Sequence, residues 1–452
     1  MATDKTHTSV GGAMSWHTLI SDKRMGLEAY HDPAKRSRTD FRRDYDRMIF
    51  SSPFRRLQNK TQVFPLPGHI FVHNRLTHSL EVSAVGRSMA NSVEELLRER
   101  HGDALTPKIS HIGDIVACAC LCHDLGNPPF GHSGEKTIST FFSEGAGMQL
   151  QSDLSTDQWA DITNFEGNAN SFRLLAHQFV GRREGGFAMT YSTLASIVKY
   201  PYSSRHAGVK GKFGFFTTES EAYAKVAREL GIPEISPGIH ARHPLTLIME
   251  AADDICYQIM DIEDAHKLKI LSTAEVTELL LGYFSPELHS HLLATMHRLD
   301  DPNEKVAYLR SKAIGALVEG CARAFADNED LILEGKLEGP LLGYAAEQLH
   351  VGYEACSATA WDKIYRAPEV VDIEIAGNRI LTSLLSVFTE AALSPQKNAS
   401  RLLLAKVPAQ YDIHSSDLFT RIQAVLDHIS GMTDVYALDL FRKFNGHSLP
   451  AV

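Results

Sequence analysis

Four side chains in this 452-residue chain have the types that could gather a metal ion: His78, the adjacent pair His123 and Asp124, and Asp253 far downstream. Imidazole nitrogen and carboxylate oxygen are the donor set of Mn, Fe, Co, Ni, Zn or Mg ions, with positions left open for water and substrate. Each residue also has a plainer reading. A single histidine at the edge of an apolar stripe is more often a hydrogen-bonded core residue, and a His-Asp pair at a helix end arises by chance. Asp253 shares with Glu250, Tyr257 and Asp261 a polar line at helical spacing, which is usually a wet face. Taken one by one, these residues leave both readings open.

These residues need helices to position them, and the apolar spacing supplies three. From Leu76 onward, Val82, Val85, Met89, Val93 and Leu96 recur at steps of three or four, predicting a helix to about Arg100 with His78 in its first turn. A second is expected over 112–124, stopped by Leu125, Gly126, Asn127, Pro128 and Pro129, so that His123 and Asp124 lie at its C-terminal lip. A third is expected from Leu245 to His266, with Ile248, Met249, Ala252, Ile255, Ile259 and Ile262 on its buried face. Further helices are expected at 135–144, 167–180, 187–199, 219–230, 273–283, 304–327, 370–393 and 415–430, the last capped by Ser415 or Ser416 and ended by Gly431. The fold class is therefore all-α, with a small β-hairpin around the Pro-Gly turn of residues 62–73 and a weaker strand candidate at Lys212–Phe216.

Composition narrows the function. The longest apolar run, Ile115 to Cys122, falls far short of the roughly 20 residues of a membrane span, and no signal-peptide core stands at the N-terminus. A cytoplasmic protein without membrane partners is expected. Six cysteines make no disulfide framework, and Cys118, Cys120 and Cys122 read as small hydrophobes, although Cys122 beside His123 keeps a zinc reading open. A net charge of -10 argues against a general nucleic-acid-coating protein. Locally the balance reverses, with nine Lys or Arg against three Asp between residues 34 and 60, either a solvated helix face with its own ion pairs or a contribution to a phosphate site.

The motifs carry a closer likeness. His73–Val82 resembles the HNRLTHSLEV signature of the deoxyguanosine triphosphate triphosphohydrolase (dGTPase) family, within the HD-domain phosphohydrolases. His123–Glu135 is similar to its HDLGNPPFGHxGE segment, and Glu250–Tyr257 to EAADDIAY. Supporting matches are RRLQNKTQVF at 55–64, FEGN at 165–168, Lys199 with Tyr200, and Trp16; they run in order from residue 14 to about 270 and continue faintly through Glu374 to Leu385.

The resemblance implies a single dGTPase-like unit over 1–452, with an HD catalytic core at 70–270 and a helical region at 271–452 packed on it. It implies His78, His123, Asp124 and Asp253 as ligands of a divalent ion, Mn2+ or Mg2+ first and Co2+, Ni2+, Fe2+ or Zn2+ next. The reaction implied is attack at the α-phosphorus of dGTP, or of other dNTPs, releasing deoxyguanosine and inorganic triphosphate. His132 suits proton transfer to the departing 5'-oxygen, and Glu135 can orient it; the alternative for Glu135 is a helix cap with Ser133. Arg75, Lys199, Lys212 and Tyr200 match phosphate-contacting positions, although the lysines could be surface residues. Gln58, Tyr257 and Asp261 are implied in sugar discrimination, with Asn168 a softer candidate. A homo-oligomer, hexamer included, and activation by another dNTP or single-stranded DNA are implied as well. Rival readings are an HD-type monophosphatase or phosphodiesterase, and an inactive nucleotide-responsive or single-strand-binding assembly.

Overall fold

In the computed structural model, which describes residues 12–31, 38–64 and 72–448, the periodic segments become helices close to their expected bounds. Those used below are α1 (Asp40–Ile49), α2 (Arg75–His101), α3 (Ile112–Cys122), α4 (Gly131–Ser143), α5 (Gly167–Ala176), α6 (Tyr191–Ile197), α7 (Pro244–Lys267), α8 (Pro302–Asp327), α9 (Glu347–Thr359), α10 (Pro368–Leu393), α11 (Leu418–Ser430) and α12 (Asp434–Phe444). The chain is all-α in class, and among the described residues its one sheet is the two-stranded antiparallel pair β1 (Glu234–Ser236) and β2 (Ile239–His240).

The helix α2 starts where it does because Asn74 and Thr77 form a reciprocal capping box, Asn74 accepting from the Thr77 backbone and Thr77 from that of Asn74. Its stripe of Val82, Met89, Ala90 and Val93 is fully buried, and each large apolar side chain so buried is worth about 1.5–3 kcal/mol. That stripe packs on α3, α7 and α8, while α3 also packs on α1 and α6. Close approach needs Gly86, where a Cβ would stand 2.7 Å from Cys120 Sγ and 3.4 Å from Ala252 Cβ. Helices α2, α3 and α7 thus meet where His78, His123 and Asp253 project.

Two apolar clusters form the core. One joins the N-terminal segment, α1–α3, α5–α9 and the start of α10; the other joins α4 and the phenylalanines Phe165, Phe213 and Phe216 to the rest of α10, α11 and α12. The residues at 271–452 therefore serve both clusters, the earlier half joining the first.

Several local expectations are corrected. The helix expected over 187–199 is confined to Tyr191–Ile197, because Gly185, Gly186 and Ala188 adopt positive φ and Thr190 caps the first turn. The one expected over 167–180 ends at Ala176. The cap of α11 is Asp417, which accepts from Thr420 N at 2.8 Å, rather than Ser415 or Ser416. Lys212–Phe216 is no strand; its apolar pattern reflects burial of Phe213, Phe215 and Phe216, and Phe215 makes only an isolated bridge to Ser203. Most of the hairpin expected over 62–73 lies outside the described residues; Thr61 and Asn74 on either side of it form an isolated antiparallel bridge. Among the described residues no helix is long and apolar enough to cross a membrane.

Candidate active site

His78, His123 and Asp253 each offer a donor atom within 4.8 Å of the other two. His78 Nε2 stands 3.1 Å and His123 Nε2 3.3 Å from Asp253 Oδ1. The rings of the two histidines meet edge to face with centroids 5.5 Å apart. Nδ1 of His123 lies 2.6 Å from the carbonyl of Cys120, so it donates there, which leaves the Nε2 lone pair aimed at the cluster. Nε2 is buried with no hydrogen bond of good geometry, only the 3.3 Å approach of Asp253 Oδ1, and an ion bound there would take up its lone pair. The donor set and this nitrogen fit a divalent ion. Burial opposes charge on Asp253, yet His123, His78 and Lys199 hold its carboxyl well below the ordinary range.

Asp124 stands apart from that trio. Its Oδ1 is 3.6 Å from His123 Nε2, while its Oδ2 accepts from Arg75 Nη1 at 2.6 Å and its other oxygen takes a hydrogen bond from Asn127 Nδ2. Burial would raise the Asp124 carboxyl, but Arg75 and the two histidines bring it down to about 2. For His123 burial would favour the neutral ring, whereas Asp124 and Asp253 push its pKa up to about 9. Neutral Nε2 is therefore recovered once a cation shares those carboxylates. Cys122 is buried with a free thiol and takes no part in the cluster.

The cluster forms one wall of a cavity of about 540 Å³ lined also by Arg75, His132, Asn168, Lys199, Tyr200, Lys212 and Tyr257. Phe130 and Gly131 both take positive φ, 64° and 58°, as the chain turns into α4. A side chain at Gly131 would collide with Arg75, its Cβ 2.3 Å from Nη2. One residue on, His132 is exposed to the cavity, and its Nδ1 lies 2.8 Å from Glu135 Oε2. The Glu135 bond raises the pKa of His132, and Glu135 is in turn held low by His132 against the cost of its burial. Its other oxygen accepts from Gly167 N at 2.7 Å. Glu135 thus spends its acceptors on His132 and α5 rather than on Ser133.

Cations stand opposite. Lys199 Nζ lies 3.7 Å from Glu250 and 3.8 Å from Asp253, and Lys212 Nζ lies 2.7 Å from Glu166 and 3.9 Å from Glu135. These carboxylates raise both ammonium groups, against their burial. Asn168 Nδ2 donates to Glu166 Oε1 at 2.6 Å. On α7, Tyr257 stacks on Tyr365 with centroids 5.9 Å apart, and Tyr365 Oη donates to Asp261 Oδ2 at 2.7 Å. Burial pushes Asp261 up to about 8.

Not every expected residue reaches the cavity. Gln58 is exposed in the turn Leu57–Asn59 and is absent from the described lining; Asp261 lies buried beneath Tyr365. Of the arginines in the basic stretch, Arg38 pairs with Asp46, Arg43 with Asp40, and Arg47 donates to the carbonyls of Phe187 and Ala188. Residues that sequence reasoning gave no role are Glu166, Asp254, Trp361 and Tyr365. Trp361 lines the cavity from a π-helical turn, Ala360–Ile364, with Arg366 over its ring at 5.6 Å. Glu166 in FEGN and Asp254 in the Glu250–Tyr257 segment were the two with a signal to follow.

This constellation on a helical scaffold defines a class, and comparison with known sequences agrees. Residues 75–167 match the family described as HD domain, whose members are metal-dependent phosphohydrolases, and residues 353–443 match the phosphohydrolase-associated domain. A deoxyguanosinetriphosphate triphosphohydrolase-like protein of Pseudomonas aeruginosa is 38% identical over 447 residues, covering 97% of this chain and all of that relative. One of Synechocystis is 38% identical over 453 residues, covering 96% of this chain and all of its own. A deoxyguanosinetriphosphate triphosphohydrolase of Yersinia pestis is 29% identical over 487 residues, covering 89% of this chain and 93% of the relative. The chain belongs to the deoxyguanosinetriphosphate triphosphohydrolase family.

Proposed function

We propose that the protein hydrolyses dNTPs, dGTP first among them, to the deoxynucleoside and inorganic triphosphate. The observation that carries this reading is that the buried Nε2 of His123, with His78 and Asp253, faces the same cavity as Lys199, Lys212 and the His132–Glu135 pair. A phosphate ester resists attack by an anionic nucleophile, so a catalyst for it consists largely of positioning and charge neutralisation. His78, His123, Asp253 and, by a turn of its carboxylate from Arg75, Asp124 would hold a divalent ion. When bound, that ion lowers the pKa of a water toward neutrality and draws charge from the α-phosphate.

The remaining side chains divide the work. Lys199 and Lys212, now paired with carboxylates, exchange those partners for phosphate oxygens when the triphosphate enters, while Arg75, Tyr200 and Asn168 line its path. His132, kept protonated by Glu135, donates from Nε2 to the departing 5'-oxygen. The Tyr257 ring packs where a ribose 2'-hydroxyl would need room, and Asp261 beneath Tyr365 supports that wall; Gln58 reaches the sugar only if its turn moves inward. Residues 70–270 carry this chemistry, and 271–452 frame it. The deciding experiment incubates metal-stripped protein with each dNTP, with and without Mn2+ or Mg2+, and separates the products. Triphosphate and deoxynucleoside are expected; stepwise release of monophosphate would instead favour a phosphatase.

A further inference from the structure

The turn between α11 and α12, whose Asp434 lies 304 residues from Phe130 in sequence, is bonded directly to the loop that carries the HD pair. Asp434, buried at the start of α12, accepts from Phe130 N through Oδ1 at 3.0 Å and from Thr61 N through Oδ2 at 2.8 Å. Phe130 is the non-glycine residue with left-handed backbone that launches α4 toward His132. Such a conformation is strained and persists only where its surroundings hold it. Thr61 in turn bridges Asn74, the cap of the His78 helix. One carboxylate therefore joins the chain entering α4 to the chain entering α2.

Lys60 reinforces the same point. Its fully buried ammonium donates to the carbonyls of Asn127 at 2.5 Å and Ser430 at 2.8 Å. Asn170 Nδ2 adds bonds to Gly126 O at 2.7 Å and Ser430 Oγ at 3.1 Å. The loop 124–130 is thus held by Lys60, Asn170 and Asp434, and Ser430 anchors the first two.

We infer that Asp434 is a positioning residue for the reaction, setting where His132 stands relative to the metal cluster through its paired bonds to Phe130 N and Thr61 N. This rests on the proposed role of His132. Two backbone N–H donors need two acceptor oxygens, and the isosteric Asp434→Asn presents an NH2 to one of them. A displacement of about 1 Å at a reacting group can cost about 100-fold in rate, whereas the phosphate-binding lysines lie on other elements and are untouched.

The test compares wild type, Asp434→Asn and Leu440→Ala, the last removing a buried apolar side chain of the same helix. Expected for Asp434→Asn are wild-type metal content, a KM for dGTP within about twofold, a kcat lower by about tenfold or more, and faster hydrogen exchange in peptides spanning 124–136. Leu440→Ala, measured well below its Tm, should keep kcat within about twofold. Wild-type kcat in Asp434→Asn, an unfolded Asp434→Asn protein, or an equal loss in Leu440→Ala would overturn the inference. A wild type inert toward every dNTP would refute the proposed function instead; the inference then stands or falls on whether Asp434→Asn speeds exchange at 124–136.

Discussion

Arg75 donates from Nη1 to Asp124 Oδ2 across 2.6 Å, so the buried guanidinium occupies one oxygen of a carboxylate that would otherwise face the metal cluster. Removing one partner of a buried pair leaves an uncompensated charge, which costs about 3–5 kcal/mol. Arg75→Ala should therefore be markedly less stable than wild type when metal-free, and a divalent ion should restore much of the loss by neutralising Asp124 in its place. Thermal unfolding with and without Mn2+ reads this directly. Equal losses in both conditions would mean that Asp124 does not meet the ion.

His132 and Glu135 form the second separable unit. His132→Ala should retain its metal and lose about 100- to 10,000-fold in kcat, the usual range for a positioned acid. In Glu135→Gln the carboxylate that raises the His132 pKa is gone, so the protonated ring is lost at lower pH. The alkaline limb of the kcat profile should move to lower pH in that variant; an unmoved limb would assign it to another group.

The lysines and the tyrosine wall predict different kinetic signatures. Lys212→Ala removes a cation shared by Glu166 and Glu135, and should raise KM for dNTPs about tenfold or more with a smaller change in kcat. Tyr257→Ala opens the wall that it shares with Tyr365 and should raise hydrolysis of ribonucleotides relative to deoxyribonucleotides about tenfold. Parallel assays of dGTP and GTP decide both, and an unchanged ratio would remove Tyr257 from sugar discrimination.

Asp261 gives a pH signature in stability. Its carboxyl is pushed up to about 8 in the folded protein, against about 3.9 in an unfolded chain. Between those values the unfolded state binds fewer protons, so this group makes stability fall as pH rises, from about pH 4 until the slope flattens above about 8. Asp261→Asn should lack that component and be the more stable form at pH 9. Denaturant unfolding across the window checks the sign.

The sequence made the scaffold legible because the apolar stripes of α2, α3 and α7 repeat at helical spacing, and their burial is what the fold uses. His78, His123 and Asp253 were legible as candidates only through their order and the motifs around them, since each taken alone reads as readily as a core or wet-face residue. Tyr365 and Asp434 were not. Tyr365 acquires its role by reaching Asp261, 104 residues away, and Asp434 by reaching Phe130 at a separation of 304. No local pattern encodes such a pairing. The cap of α11 was misplaced by one or two positions because Ser415, Ser416 and Asp417 are all good caps, and only geometry selects Asp417.

Whether one divalent ion joins residues so distant in the chain is read most directly by anomalous diffraction from Mn2+-soaked crystals. A single strong peak is expected at about 2.0–2.3 Å from His78 Nε2, His123 Nε2, an Asp253 oxygen and an Asp124 oxygen. A peak bound elsewhere, or none among these four side chains at saturating Mn2+, would contradict the metal centre and the chemistry built on it.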